Sequence, residues 1–263
     1  MRSALFLAFL VAGCAATAPA PVEGPSPQAL QALAPTGKLR VGLYPGSPTS
    51  FISGDGGAAP RGVGYELGGA LARQAGVPFD PQVMKSNNEV LEAAKAGRVD
   101  LVFTNATAAR AEFLDFTPAA LRIEKGYLVP AASPLRDASE IDRPGLRIGY
   151  SKGSTTASEL GHLVKHAAMV EEPSIDEAVR ALAGGRLDAF ATNKAILFQM
   201  SDRLAGSRVL PGRWGEESLA FGIPRGRESA LAFVTQFARQ AQEGGEIARA
   251  AQRAGLRGLA PGN

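Results

Sequence analysis

The 263-residue chain has one cysteine (Cys14), one tryptophan (Trp214) and two histidines, and aromatic residues make up only 6% of it. A lone cysteine rules out an internal disulfide framework. The histidines, His162 and His166, stand four apart as a helical metal pair would, but no third ligand follows at a recognisable spacing, so neither a metal nor a cofactor is expected. No Gly-x-Ser-x-Gly elbow and no phosphate-loop signature is present. The apolar stretch Ala4–Val11 is far short of the ~20 residues that span a bilayer. Charge of one sign is also scarce. The net charge is +3, and no lysine or arginine cluster with interleaved aromatics supports nucleic-acid binding. At 45% hydrophobic and 20% charged, the chain reads as globular and able to bury two cores.

What is present begins at the amino terminus. Met1-Arg-Ser carries one positive charge, Ala4–Val11 is apolar, and Val11-Ala-Gly-Cys14 has the pattern of a bacterial lipoprotein signal. Residues 1–13 are then a signal peptide, and Cys14 is the lipidated first residue of a protein anchored in the periplasm or cell envelope. Ordinary secretion with cleavage after Ala18 is the competing reading, disfavoured by Pro19. Residues 14–37, rich in alanine and proline, read as a tether.

A twenty-residue segment then occurs twice, 88 positions apart. Ser86–Asn105 (SNNEVLEAAKAGRVDLVFTN) and Ser174–Asn193 (SIDEAVRALAGGRLDAFATN) agree at eight of twenty positions. Ser86-x-x-Glu89 and Ser174-x-x-Glu177 are capping boxes at helix starts. Gly97 and Gly185 are left-handed helix stops, and Asp100 and Asp188 each open a short apolar strand ending in Thr-Asn. A shorter echo relates Leu39-Arg-Val-Gly to Leu146-Arg-Ile-Gly, each a strand running into a Gly/Ser loop. Two copies of strand, helix, strand predict two α/β lobes with mostly parallel sheets.

Ligands of open parallel sheets sit beyond the carboxyl ends of the strands, which sets Thr104-Asn105 and Thr192-Asn193 on facing cleft rims. Thr107 starts a new helix there, and Arg110 lies one turn further on. A helix start with a guanidinium suits a carboxylate. In the second lobe Gly153, Ser154, Thr155 and Thr156 crowd another helix start.

From about Gly37 to Gly258 the chain resembles an extracellular solute-binding protein of an ABC importer, of the polar-amino-acid type (family 3). The resemblance rests on Gly37-Lys-Leu-Arg-Val-Gly42, Gly62-Val-Gly-Tyr-Glu66, Gly97-Arg-Val-Asp100, Thr107-x-x-Arg110, Leu114-Asp-Phe116, Gly149 to Thr156, and Gly185-Arg-Leu-Asp-Ala189. It implies a type II periplasmic-binding-protein fold: two mixed, mostly parallel sheets joined by two crossover segments, with lobe 1 at 38–121 and 221–263 and lobe 2 at 122–220. It also implies a monomer that binds a small molecule and delivers it to a membrane ABC permease and its ATPase, with no catalysis of its own. By the same resemblance the carboxylate-binding arginine is Arg110, helped by Phe103, Asn105 and Thr107, with Ser154, Thr155 and Thr156 in the second lobe. The first-loop positions fall near Tyr44 and Ser47.

Two departures bear on the ligand. Where amino-acid binders hold an acidic residue for the substrate ammonium this chain has Asn193, and a usual aspartate after Tyr65 becomes Gly68. The resemblance with these departures implies a retained carboxylate grip and a weakened ammonium grip, hence an organic anion or an amino-acid-like carboxylate. Two rivals stand beside importer delivery. One is a cyclohexadienyl-dehydratase-like enzyme, for which Glu66, Glu172 or Glu217 would be the general acid. The other is an accessory lipoprotein without a permease. Trp214 is either a cleft wall or a packed residue at a lobe edge.

Overall fold

The computed structural model describes residues 24–54 and 57–262. In chain order the elements are α1 (Pro27–Leu33), β1 (Leu39–Leu43), α2 (Val63–Ala75), β2 (Phe79–Val83), α3 (Asn87–Lys95), β3 (Leu101–Asn105), α4 (Ala108–Ala111), β4 (Leu114–Phe116) and β5 (Leu121–Val129). They continue as β6 (Arg147–Ser151), α5 (Thr156–Leu160), β7 (Ala168–Glu172), α6 (Ile175–Ala183), β8 (Ala189–Asn193), α7 (Lys194–Arg203), β9 (Arg208–Val209), β10 (Gly215–Pro224), α8 (Glu228–Glu243) and α9 (Glu246–Arg253).

The strands run β2-β1-β3-β10-β5-β8-β6-β7. Strands β2, β1 and β3 are parallel and form lobe 1; β8, β6 and β7 are parallel and form lobe 2. Between them β5 and β10 pair antiparallel, Leu121 opposite Leu219 and Lys125 opposite Gly215. The crossovers are therefore long strands, and the two sheets join through them into one ladder. This is the type II two-lobed architecture.

The repeated segments explain why each lobe folds as it does. Ser86 Oγ accepts the Glu89 amide at 3.3 Å and Ser174 Oγ accepts the Glu177 amide at 3.2 Å, so each serine caps its helix, α3 or α6. Gly97 and Gly185 have φ of 65° and 66°, the left-handed turn that ends each helix and that a Cβ would strain. The strands that follow, β3 and β8, are buried on both faces, as central parallel strands must be.

The tether expected over 14–37 is not one throughout. Ser26 accepts the Ala29 amide at 3.2 Å, Pro27 sits at the helix start, and Ala29 and Leu33 are buried against the lobe 1 core. An alanine- and proline-rich composition resembles a linker, but alanine is the best helix former and proline is favoured at the first helical position. Truncating Leu33 to alanine should cost about 2–5 kcal/mol. The signal peptide over 1–13 and Cys14 lie outside the described residues. No described helix is long and apolar enough to cross a membrane.

Candidate functional site

Strand register builds the floor of a cavity between the lobes. Paired residues point to the same side of a sheet, and side chains repeat every second residue. Asn105 opposes Leu219, Leu121 opposes Leu219 from the other strand, and Lys125 opposes Asn193. Asn105, Leu219, Glu217, Lys125 and Asn193 consequently share one face, and all five line the cavity. The cavity measures about 50 Å³, in the convention in which one water needs about 10–15 Å³. It suits a small solute.

Strand ends and loops supply the walls. Phe103, Asn105, Arg110 and Tyr44 line the cavity from lobe 1; Ser154, Thr155, Thr156 and Asn193 line it from lobe 2. Thr107 lies outside the wall: its Oγ1 accepts the Arg110 amide at 3.4 Å and caps α4. Ser47 is fully buried and bonded to Thr49 Oγ1 at 2.8 Å, so Thr49 reaches the wall in its place. Gly68 is also remote from the site, because a Cβ there would press on Val41 at 3.0 Å; it lets α2 pack on β1. Trp214 stacks behind the floor. Its indole N–H donates to the Gly126 carbonyl at 2.9 Å and its ring lies 5.2 Å from Lys125 Nζ. His162 and His166 are exposed in the turns after α5, not on one helix face. Among the described residues no cluster of three or more His, Cys, Asp or Glu could hold a metal.

Arg110 is buried and held from both lobes. Its Nη1 donates to Thr104 Oγ1 (2.7 Å) and to the Asn105 carbonyl (3.1 Å), and its Nη2 donates to the Gly153 carbonyl across the cleft (3.1 Å). A guanidinium has five N–H donors, and among the described residues Nε and one Nη2 hydrogen have no partner. That pair is the fork a carboxylate takes. Burial lowers the Arg110 pKa, and Glu217, Tyr44 and Glu159 oppose the shift.

Two charged residues stand on the floor: Lys125, which sequence reasoning missed, and Glu217, which it named only as a general acid of the enzyme reading. Lys125 is 2% exposed and ion-paired with Glu159. Glu217 accepts from Asn193 Nδ2 at 2.6 Å through Oε1, and among the described residues Oε2 has no partner. Burial raises the Glu217 pKa against the pull of Lys125, Arg110 and the Asn193 hydrogen bond. Asn193 itself is committed twice, since its Oδ1 also accepts the Ile196 amide at 3.0 Å. The crossover strand β10 thus sets a carboxylate beside the strand-tip Asn193. A usable signal was in the sequence: Lys125 and Glu217 are charges in phase with the apolar faces Leu121-x-Ile123 and Leu219-x-Phe221.

Comparison with known proteins agrees with this geometry. The chain is 25% identical over 138 residues to the ABC transporter glutamine-binding protein GlnH of Bacillus subtilis (strain 168), a match covering 52% of this chain and 50% of that protein. The match spans about half the length of that curated relative. Among solved structures, an amino acid ABC transporter substrate-binding protein from Streptococcus pneumoniae bound to L-arginine superposes with a TM-score of 0.76 at 21% identity, over 88% of this chain and 99% of that one. An ancestral amino-acid-binding protein, a precursor of cyclohexadienyl dehydratase, gives 0.74 at 20% identity over 85% and 98%. At these identities the structures establish the fold. The family model of bacterial extracellular solute-binding proteins, family 3, matches residues 39–255, and the chain belongs to that family.

Proposed function

We propose that this protein captures a small amino-acid-like carboxylate between its lobes and delivers it to a membrane ABC permease, tethered through a lipidated Cys14. The observation that carries the reading is the pairing of opposite poles in one small cavity: the free fork of buried Arg110 for a carboxylate, and Glu217 Oε2 for an ammonium or other N–H donor. Cross-lobe bonds fit a clamshell in which ligand favours closure. Asn105 Nδ2 donates to Thr155 Oγ1 at 3.4 Å, and Asn87 Nδ2 donates to the Gly153 carbonyl at 3.2 Å.

Thermal-shift screening of amino acids, hydroxy acids and other small anions should give a carboxylate whose stabilisation grows with concentration over Kd. Arg110→Ala should then weaken binding by two to four decades, since stranding a buried carboxylate costs about 3–5 kcal/mol. Retained affinity in that variant would refute the site. An enzyme on the same scaffold is the second reading, and Glu217 favours it, because a half-buried carboxyl of raised pKa suits a general acid. It predicts turnover; an unchanged NMR spectrum of cyclic carboxylic acids incubated with the protein excludes it.

A further inference from the structure

The charges around the cavity are unequal. Among the described residues Lys85, Arg110, Lys125 and Lys152 line it, against Glu217 as the single carboxylate. Lys85 and Lys152 are exposed and stand at the rim on opposite lobes, while Arg110 and Lys125 are buried at the floor. Glu159 pairs with Lys125 and offsets one of these charges. An excess of positive charge remains, and a cleft with low-dielectric walls focuses such a field on an entering ligand.

Lys125 is the informative member. Its ammonium carries three donors, one of which goes to Glu159; among the described residues the other two have no hydrogen-bond partner. The Trp214 ring, 5.2 Å from the Lys125 nitrogen, meets part of that charge but accepts no conventional hydrogen bond, so a buried ammonium with two unmet donors still favours a further acceptor. Lys125 lies diagonally from Glu217 on the same sheet face, two residue pairs along the β5–β10 ladder, and Arg110 enters from the end of β3. The cavity therefore has three poles: Arg110 with its free fork, Glu217 with its free oxygen, and Lys125 with its free hydrogens.

We infer that the solute carries a second acidic group seated on Lys125, so that the ligand is a small amino dicarboxylate rather than a neutral or basic amino acid. This rests on the amino-acid-like reading of the site and assigns Lys125 as the residue that selects among such ligands. One carboxylate takes the Arg110 fork, the ammonium takes Glu217 Oε2, and the second carboxylate takes Lys125. Lys85 and Lys152 draw the net negative solute toward the mouth.

Calorimetry on the whole protein with aspartate, glutamate, asparagine, glutamine, arginine and succinate tests the assignment. An acidic amino acid should bind at least about tenfold tighter than its amide, a gap of about 1.4 kcal/mol. Succinate, lacking the nitrogen, should bind more weakly than aspartate. Lys125→Gln should bring the acid-to-amide ratio close to one. Should that variant misfold, the exposed rim serves instead. Lys85→Gln with Lys152→Gln should slow association of the acidic ligand several-fold more than that of the amide in stopped-flow, and abolish much of the salt dependence. Amides or arginine binding as tightly as the acids would overturn the inference while sparing the broader reading. So would an acid-to-amide ratio indifferent to Lys125, or succinate matching aspartate. Failure of every carboxylate to bind would sink both.

Discussion

Asp100 in lobe 1 and Asp188 in lobe 2 occupy the same place in the repeat and make the same bonds, yet their surroundings differ. Asp100 Oδ2 accepts the Arg40 backbone amide (3.2 Å) and Nε (2.8 Å), and Oδ1 accepts Arg40 Nη2 (2.8 Å). Asp188 repeats this with Arg147 at 2.8, 2.9 and 3.0 Å. Each arginine also donates to the carbonyl of the helix-stop glycine, Gly97 at 2.9 Å or Gly185 at 2.8 Å. In lobe 1, Arg227 adds a bond to Asp100 at 2.9 Å and a second to the Ala32 carbonyl of α1 at 3.1 Å, and the Asp100 side chain is 0% exposed. The Asp188 side chain is 31% exposed and, among the described residues, has no such cover. One local unit is thus a sealed joint in lobe 1 and a surface clasp in lobe 2. The difference comes from elements outside the repeat: α1 and the Arg227 turn before α8.

The largest expected effect breaks that comparison directly. Asp100→Asn removes the charge that faces two guanidinium groups inside the protein, and breaking a buried pair costs about 3–5 kcal/mol. Asp188→Asn should cost under about 1 kcal/mol, because a screened, exposed pair contributes little. Equilibrium urea unfolding of both variants measures the two costs. Equal losses would mean that burial by α1 and Arg227 contributes nothing to the joint.

How legible these features were depends on how local their causes are. Helix caps, glycine stops and the repeated strand are set by residues adjacent in sequence, so α3, β3, α6 and β8 could be read from serine, glycine and period alone. Arg110 followed from its distance to the cap Thr107. Helix α1 was hidden by composition: Ala and Pro dominate the stretch around it, and only Ser26 with Pro27 marks a helix start. Lys125 was hidden by topology, and so was the place of Glu217, which the sequence offered only as a general acid. They reach the cavity only because β5 and β10 pair in the register that opposes Lys125 with Gly215, and a long-range register is not written in either strand by itself. Ser47 and Gly68 were placed near the site by the family resemblance, whereas here a neighbour takes the first position and packing explains the second.

The strand-tip asparagines give a second comparison between the lobes. Asn105 and Asn193 both accept a backbone amide through Oδ1, that of Ser218 and that of Ile196, each at 3.0 Å. Through Nδ2 they part: Asn105 meets the hydroxyl of Thr155, and Asn193 meets the carboxyl of Glu217. Only the lobe 2 side can titrate there. Because burial raises the Glu217 pKa, its carboxyl takes up a proton at a higher pH than an ordinary glutamate. Affinity for an ammonium-bearing ligand should fall as pH drops through that raised value, by up to about tenfold per unit below it. For the unliganded protein the sign is opposite. The Glu217 contribution to stability is fully present below the unfolded value near ~4.3 and is lost as pH rises through the folded one. Glu217→Gln should flatten both pH dependences relative to wild type, as read by calorimetry and by thermal unfolding. A wild-type affinity that rises on acidification would reverse the assignment of Glu217 to the ammonium.

The smallest effect sharpens the comparison where the lobes should be alike. Ser86 and Ser174 cap α3 and α6 with nearly the same bond, 3.3 and 3.2 Å to the amide three residues on, and neither serine is buried. An exposed cap depends on the first helical turn and hardly on what packs around it, so the difference that separates Asp100 from Asp188 should vanish here. Ser86→Ala and Ser174→Ala should each cost about 1 kcal/mol. One asymmetry remains in their second halves. The Glu89 carboxylate reaches back to the Lys85 amide at 3.1 Å, whereas Glu177 turns outward to pair with Arg180. Glu89→Gln, which keeps an acceptor, should therefore be nearly silent. Glu89→Ala should add a few tenths of a kcal/mol that Glu177→Ala does not, because only the first leaves a backbone amide without its side-chain partner. Urea unfolding of the four alanine variants resolves the pattern. Serine costs that differ by more than about 1 kcal/mol would show that the lobes already diverge at the cap.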